Sequence, residues 1–324
     1  GVDVNPLAVE LAKLSIWLVT LSRGRPFGFL DHNLKHGDSL LGLHDLNQLY
    51  YLDMKPSKLS EGGGSAKQLF AQDIEKAVEE ALEIRKQIRN IPIRDIHDVE
   101  TISTMEKAAE EKLALPCLAA DALVGAVLSN KGKQPDAGSL GAELGEIFLG
   151  REWSLYQNKV NENLKTGLDI DRPGRKPFHW CLEFPEVYLN SGFDAVLGNP
   201  PFLGGKRLSG VEGNSYRNFL INHLAEGIKG SADLAAYFFR SAYRLLKGSS
   251  TLGFISTNSI SQGDTRQVSL ESLVRDKNAS IFKAYPDEQW PGKAAVITSR
   301  VFIYKGKWQG QLRINGRKVD LISS

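Results

Sequence analysis

The apolar run Phe193-Asp194-Ala195-Val196-Leu197-Gly198 stops at Asn199-Pro200-Pro201-Phe202, and this junction restricts the fold more than any other segment of the chain. Two consecutive prolines donate nothing to a sheet ladder and do not continue a helix, so an extended segment that reaches them must turn away. Pro201 also pushes Pro200 toward extended geometry. The turn therefore carries an amide oxygen, a pre-aimed backbone carbonyl and an aromatic face around one point. The alternative is an ordinary strand-ending turn, because Asn-Pro and Pro-Pro dipeptides punctuate many strands.

Such a grouping suits chemistry at a planar amino nitrogen. An exocyclic amine of the adenine N6 kind has its lone pair delocalised into the ring and must become more tetrahedral before it attacks the sulfonium methyl of S-adenosylmethionine. The Asn199 side-chain oxygen and the Pro200 carbonyl would each accept a hydrogen bond from that NH2 group, and both bonds strengthen as the nitrogen turns positive. Phe202 would stack on the base.

Other segments carry weaker signals in a consistent order. Gly1-Val2-Asp3-Val4-Asn5-Pro6 reads as a strand end delivering a carboxylate, with Pro6 opening a helix over Leu7 to Leu18. In doubly wound α/β folds an acidic residue in that place binds ribose hydroxyls, so Asp3 is a candidate ribose ligand and Val4 a contact for the cofactor's adenine. A plain surface strand-to-helix turn explains the segment equally well. His36-Gly37-Asp38-Ser39-Leu40-Leu41 brings a second carboxylate to the end of a short extended run, where Asp38 is placed to accept from the adenine amino group. On its own, Gly-Asp-Ser is a turn. Asp233 to Lys247 has helical apolar spacing, a basic end and Gly248 as its stop, followed by strands at Thr251–Ser256 and Ala294–Tyr304.

Taken together, residues 1–18, 36–41, 178–187, 192–202, 233–259 and 290–306 resemble the N6-adenine DNA methyltransferases of type IIG restriction-modification and related phage-defence systems. The resemblance implies that Asn199, Pro200, Pro201 and Phe202 hold the target adenine. It implies that Asp3, Val4, Asp38 and Ser39 contact S-adenosylmethionine, and that double-stranded DNA is the partner. An aromatic residue before the last long strand packs on the flipped base in that family; Trp290 fits this role best and Tyr285 is the alternative. A half-buried hairpin aromatic explains Trp290 nearly as well.

The expected fold is α/β: an incomplete Rossmann-like (class I) methyltransferase sheet with a large, mainly helical insertion. Residues 1–44 and 178–324 would form a discontinuous catalytic core and 45–177 the insertion. The family opens its domain with a strand and a glycine-rich loop that cradles the methionine end of the cofactor, and neither precedes Gly1. Gly62-Gly63-Gly64 follows no strand and looks like linker. The chain is accordingly expected to be a fragment without the full cofactor pocket, inactive alone, and dependent on missing parts of a parent polypeptide or a split-gene partner. Base-sequence recognition is expected outside it.

The insertion lies within the 161 positions from Asp38 to Asn199, where a direct crossover needs only about a dozen or more residues. Spacing near four predicts a helix over 66–89, a second from Asp95 to Leu115 interrupted by Pro116, a third over 118–129 and a fourth pattern over 140–164. Residues 61–65 and the loop 129–136 are the expected disordered stretches.

Charge is unevenly distributed. Residues 1–202 hold 22 Lys and Arg against 29 Asp and Glu, a balance of −7, whereas 203–324 hold 18 against nine, a balance of +9. Lys206 and Arg207 follow the proline turn directly, in a Gly-Gly-led segment read as a flexible loop within reach of phosphates beside a flipped base. A mobile basic surface loop is compatible with the same residues. Cys117 and Cys181 are too few and too isolated for a zinc site or disulfide framework, which suits a reducing cytosol. Gly37 spoils the helical spacing of His32 and His36, so no metal is expected. The longest apolar stretches carry charges, and no membrane partner is expected. Two other functions stay open: methylation of a protein glutamine or RNA guanine amino group, and a non-catalytic interaction fragment.

Overall fold

Asn5 and Pro6 open the first helix as their chemistry requires. In the computed structural model, which describes residues 1–19, 30, 32–56, 67–93, 95–150, 153–290 and 296–323, the Asn5 side chain accepts from the Leu7 amide at 3.0 Å. Pro6 takes the first helical position, where no amide is needed. The described residues divide into two units, Gly1–Asn130 with Gln134–Glu186, and Lys131–Lys133 with Val187–Ser324. The first unit thus contains residues 1–44 together with most of the helical segment 45–177.

In the first unit, β1 (Val2–Asp3) precedes α1 (Pro6–Val19) and pairs in parallel with β2 (Lys35–His36), Asp3 opposite His36. The helices α2 (Leu46–Tyr50), α3 (Ala71–Asn90), α4 (Ile96–Ser129), α5 (Ala137–Phe148), α6 (Ser154–Leu164) and α7 (Trp180–Glu183) follow. The α3 face predicted from spacing is the buried one, through Ile74, Val78, Leu82, Arg85 and Ile88.

Pro116 does not interrupt the second helix: α4 runs through it for 34 residues. The missing Pro116 amide costs one backbone hydrogen bond. Burial of Leu113, Leu118, Leu123, Val124 and Val127 on both sides of it keeps the flanking turns helical. By length and composition α4 is apolar enough to cross a membrane, but 61% of its most apolar window is buried within the protein. The pattern over 140–164 resolves into two helices, α5 and α6.

The loop 129–136 is ordered rather than disordered. Gly132 offers its carbonyl to Asn222 Nδ2 at 2.8 Å and to His223 Nε2 at 3.1 Å, while Asn218 bonds the Lys131 carbonyl at 3.1 Å. Gln134 in turn donates to the Leu52 carbonyl at 2.6 Å. Residues 61–65 lie outside the described residues.

A buried histidine ties the first unit together. His179 Nδ1 accepts from the Leu43 amide at 3.2 Å, which leaves the proton on Nε2 for the Asp121 carboxylate 3.0 Å away. Replacing His179 by leucine strands a buried amide, at a cost of about 1–3 kcal/mol. Urea unfolding of His179→Leu should show that loss in the midpoint with an unchanged slope.

After α8 (Pro185–Leu189), the second unit is built on a six-stranded sheet. Its elements are β3 (Phe193–Gly198), α9 (Gly205–Phe219), α10 (Leu234–Leu245), β4 (Leu246–Thr257), α11 (Gly263–Arg266), α12 (Ser272–Asp276), β5 (Ala279–Gln289), β6 (Ile297–Lys305), β7 (Leu312–Ile314) and β8 (Arg317–Val319). The order is β3-β4-β6-β5-β7-β8, with β3 and β4 parallel and β6 antiparallel to both β4 and β5. Phe239, Leu252, Phe254, Ile281, Val301 and Ile303 form its core. Gly248 does not stop α10: the helix ends at Leu245 and Gly248 already lies in β4, because Leu246 pairs with Phe193.

The α/β class and the large helical region are as expected. The parallel strands, however, lie in two separate sheets, β1-β2 and the six-stranded one.

Candidate active site

The proline turn leaves β3 at its C-terminal end. Gly198 is the last residue in register, opposite Phe254, and a Cβ there would meet the Phe254 ring at 2.8 Å. Pro200 is buried, while Asn199, Pro201 and Phe202 are exposed, Phe202 by 38%. The Asn199 side chain has no hydrogen-bond partner among the described residues, and Phe202 has no aromatic neighbour there.

The chain is clamped one residue later. The Leu203 carbonyl accepts from the Leu234 amide at 2.9 Å, and its amide is bonded to the Asp233 carboxylate. Asp233 also caps α10 through the Ala235 amide at 2.9 Å, and its own amide reaches Thr265 Oγ1 at 3.0 Å. Burial pushes the Asp233 carboxyl above the usual carboxylate range, against the pull of the two backbone amides. Gly205 completes the anchor: a Cβ there would meet the Ser231 carbonyl carbon at 2.2 Å, so only glycine lets α9 start this close to the 231–232 backbone. An uncommitted amide and ring thus project from a turn whose base is fixed. Sequence reasoning missed Asp233 and Gly205 as anchors; the one available signal was an Asp just ahead of a helical pattern.

Topology brings other candidates to the same end of this sheet. Since β6 runs against both β4 and β5, the last residues of β4 and β5 share the end at which β3 stops. Trp290, just past β5, is half-buried and donates its amide to the Val296 carbonyl at 3.0 Å. Tyr285, inside β5, already carries the Arg300 guanidinium 4.3 Å and the Lys283 ammonium 5.2 Å from its ring centre. Glu288 fixes Arg300 through bonds of 2.5 and 2.6 Å. That hydrogen-bonded pairing lowers the Glu288 carboxyl and raises the Arg300 guanidinium. Among the described residues no cation lies over the Trp290 ring. Lys206 and Arg207 are not in a loop; both are exposed in the first turn of α9.

The remaining candidates lie in the first unit. Because Asp3 and His36 are register partners, Asp3 and Asp38 leave neighbouring parallel strands at the same end. Asp3 spends one oxygen on the Asn5 amide at 2.7 Å and is exposed, as is Val4, by 68%. Asp38 accepts from the Leu40 amide at 3.0 Å and is held in place by Lys176 and Phe178 through backbone bonds of 2.7 and 3.1 Å. Trp180 Nε1 bonds the Ser39 carbonyl at 3.1 Å. Two carboxylates and an exposed apolar side chain at one sheet end fit the hydroxyls, amino group and ring of an adenosine. Among the described residues no group of His, Cys, Asp and Glu could hold a metal ion.

A sequence model of the Eco57I restriction-modification methylase family matches residues 1–285. A protein of Methanocaldococcus jannaschii, named as a type II restriction enzyme and methyltransferase, is 24% identical over 280 residues, covering 81% of this chain and 22% of that protein. Among solved structures, the type IIL restriction-modification enzyme MmeI in complex with DNA aligns over 82% of this chain and 38% of its own, at 17% identity and a TM-score of 0.35. A modification subunit of a type I restriction enzyme from Vibrio vulnificus YJ016 aligns over 92% and 73%, at 12% identity and a TM-score of 0.29. The chain spans about a fifth of the length of its curated relative.

Proposed function

Because the chain belongs to the Eco57I restriction-modification methylase family, we propose that it serves in the S-adenosylmethionine-dependent methylation of adenine N6 in double-stranded DNA, on a base turned out of the duplex. One observation carries the choice of an amino nitrogen: Asn199 and Phe202 are exposed and uncommitted on a turn anchored at Leu203. The cofactor supplies an electrophilic methyl group. The Asn199 side-chain oxygen and the Pro200 carbonyl accept hydrogen bonds from the amino group of the base and stabilise the positive charge that grows on nitrogen. Phe202, with Trp290 as the second aromatic, holds the ring once it has left the stack. Asp3 and Asp38 accept from the ribose hydroxyls and adenine amino group of the cofactor, and Val4 contacts its ring.

Lys206 and Arg207 supply phosphate contacts next to the turn. Each phosphate neutralised contributes about 0.9 to the salt dependence of duplex binding. Reversing both charges should weaken binding and flatten the log–log salt slope by about 2, measured by fluorescence anisotropy. The reading as a whole is tested with methyl-labelled S-adenosylmethionine and unmethylated plasmid, using an active enzyme that carries this chain. Label is expected in the DNA, whereas label in protein or RNA alone would reject a DNA substrate.

A further inference from the structure

At the opposite end of the six-stranded sheet from the Asn199 turn, where β4 and β5 begin and β6 ends, there is a cavity of about 570 Å³. Four cations, Arg240, Arg244, Lys277 and Lys305, line it together with Tyr243 and a single carboxylate, Glu226. Three of the cations share that carboxylate, at 3.3 Å for Arg240, 3.4 Å for Arg244 and 3.0 Å for Lys277. Lys305 has no carboxylate partner among the described residues; its ammonium donates to the Tyr243 and Leu246 carbonyls.

The four cations differ in what they have left to give. Arg240 is buried and spends its donors on the Leu224 and Val268 carbonyls and on Ser272, so it is part of the frame. Arg244 donates to the His223 and Leu224 carbonyls as well as to Glu226, Lys305 to two backbone carbonyls, and the Lys277 ammonium to Glu226 alone among the described residues, so four cations face one carboxylate on this wall. We propose that this cavity binds a small phosphate-bearing anion, held by Arg244, Lys277 and Lys305.

Three observations support this assignment. The volume falls within the range of about 300–1,000 Å³ usual for small-molecule sites and exceeds what a lone counterion needs. Burial lowers the Lys305 ammonium from its ordinary value, a desolvation cost that an arriving anion offsets. Burial alone would raise the Glu226 carboxyl, yet Lys277, Arg240 and Arg244 outweigh it and hold the group below the ordinary glutamate value, which shows how strongly positive the wall is. Convergence of the charges into a concavity favours a compact soluble anion over the backbone of a duplex.

Pyrophosphate titrated into the full chain by calorimetry at fixed ionic strength tests the site. Saturable binding is expected, weakened about tenfold or more by Lys277→Glu and tightened several-fold by Glu226→Gln, which removes the competing carboxylate. The two variants push affinity in opposite directions, so a general loss of folding does not reproduce the pattern; thermal melts of each confirm that the fold persists. Absence of saturable binding at millimolar pyrophosphate overturns the proposal, as does unchanged affinity in Lys277→Glu. So does a result in which Lys277→Glu weakens binding of a duplex oligonucleotide while pyrophosphate never binds.

Discussion

Replacing Asn199 by alanine is expected to lower the rate constant of methyl transfer by about 10²–10³-fold, the usual loss when one preorganised group facing a developing charge is removed. The side chain is exposed and makes no hydrogen bond to a described residue, so its removal leaves no buried group unpaired and the melting temperature should not move. Single-turnover measurements isolate the effect. The defect belongs in the chemical step, because hydrogen bonds to the amino group tighten as the nitrogen becomes positive, whereas DNA affinity should change little. Asn199→Asp provides a contrast: it keeps an acceptor at that position but adds a charge next to the Lys206–Arg207 turn, so it should retain more activity than alanine.

Asp233→Ala should have the second largest effect, and through a different link. Loss of the helix cap and of the acceptor for the Leu203 amide together cost about 2–4 kcal/mol. The turn also loses its fixed base, so methyl transfer should fall with stability. Asp233→Asn keeps a capping oxygen and sheds the buried charge, and it should stay within about 1 kcal/mol of the parent protein. The pH dependence has a definite sign. Burial raises the folded-state pKa of Asp233 above its unfolded value, so ionisation of this residue disfavours folding. That penalty is present above the folded pKa and disappears as pH falls through it toward the ordinary carboxylate value. Denaturation midpoints of the parent protein should therefore gain on those of Asp233→Asn across that acid window.

Much of this arrangement was legible in the chain because it rests on local chemistry. The end of β3 at Asn199 follows from the prolines, the start of α1 follows from Asn5 and Pro6, and the buried face of α3 follows from its spacing. What escaped reading depends on distant partners. Local rules end a helix at Pro116, but burial on both sides carries α4 through it. Gly248 is a helix stop by composition, yet pairing of Leu246 with Phe193 draws that stretch into a strand. The polar loop around Lys131 and Gly132 is ordered by Asn218, Asn222 and His223, 87 to 91 residues further along. Gly204-Gly205 has a flexible composition, but Gly205 is a packing contact against Ser231 that lets Lys206 and Arg207 start a helix.

If Asn199 and Phe202 hold the base as proposed, the methylated atom is an exocyclic amino nitrogen of adenine. Plasmid DNA methylated by the active enzyme and digested to nucleosides identifies that atom by mass spectrometry. N6-methyldeoxyadenosine is the expected product, lost in Asn199→Ala. Methyl groups found only on cytosine, or N6-methyldeoxyadenosine formed equally well by Asn199→Ala, would contradict it.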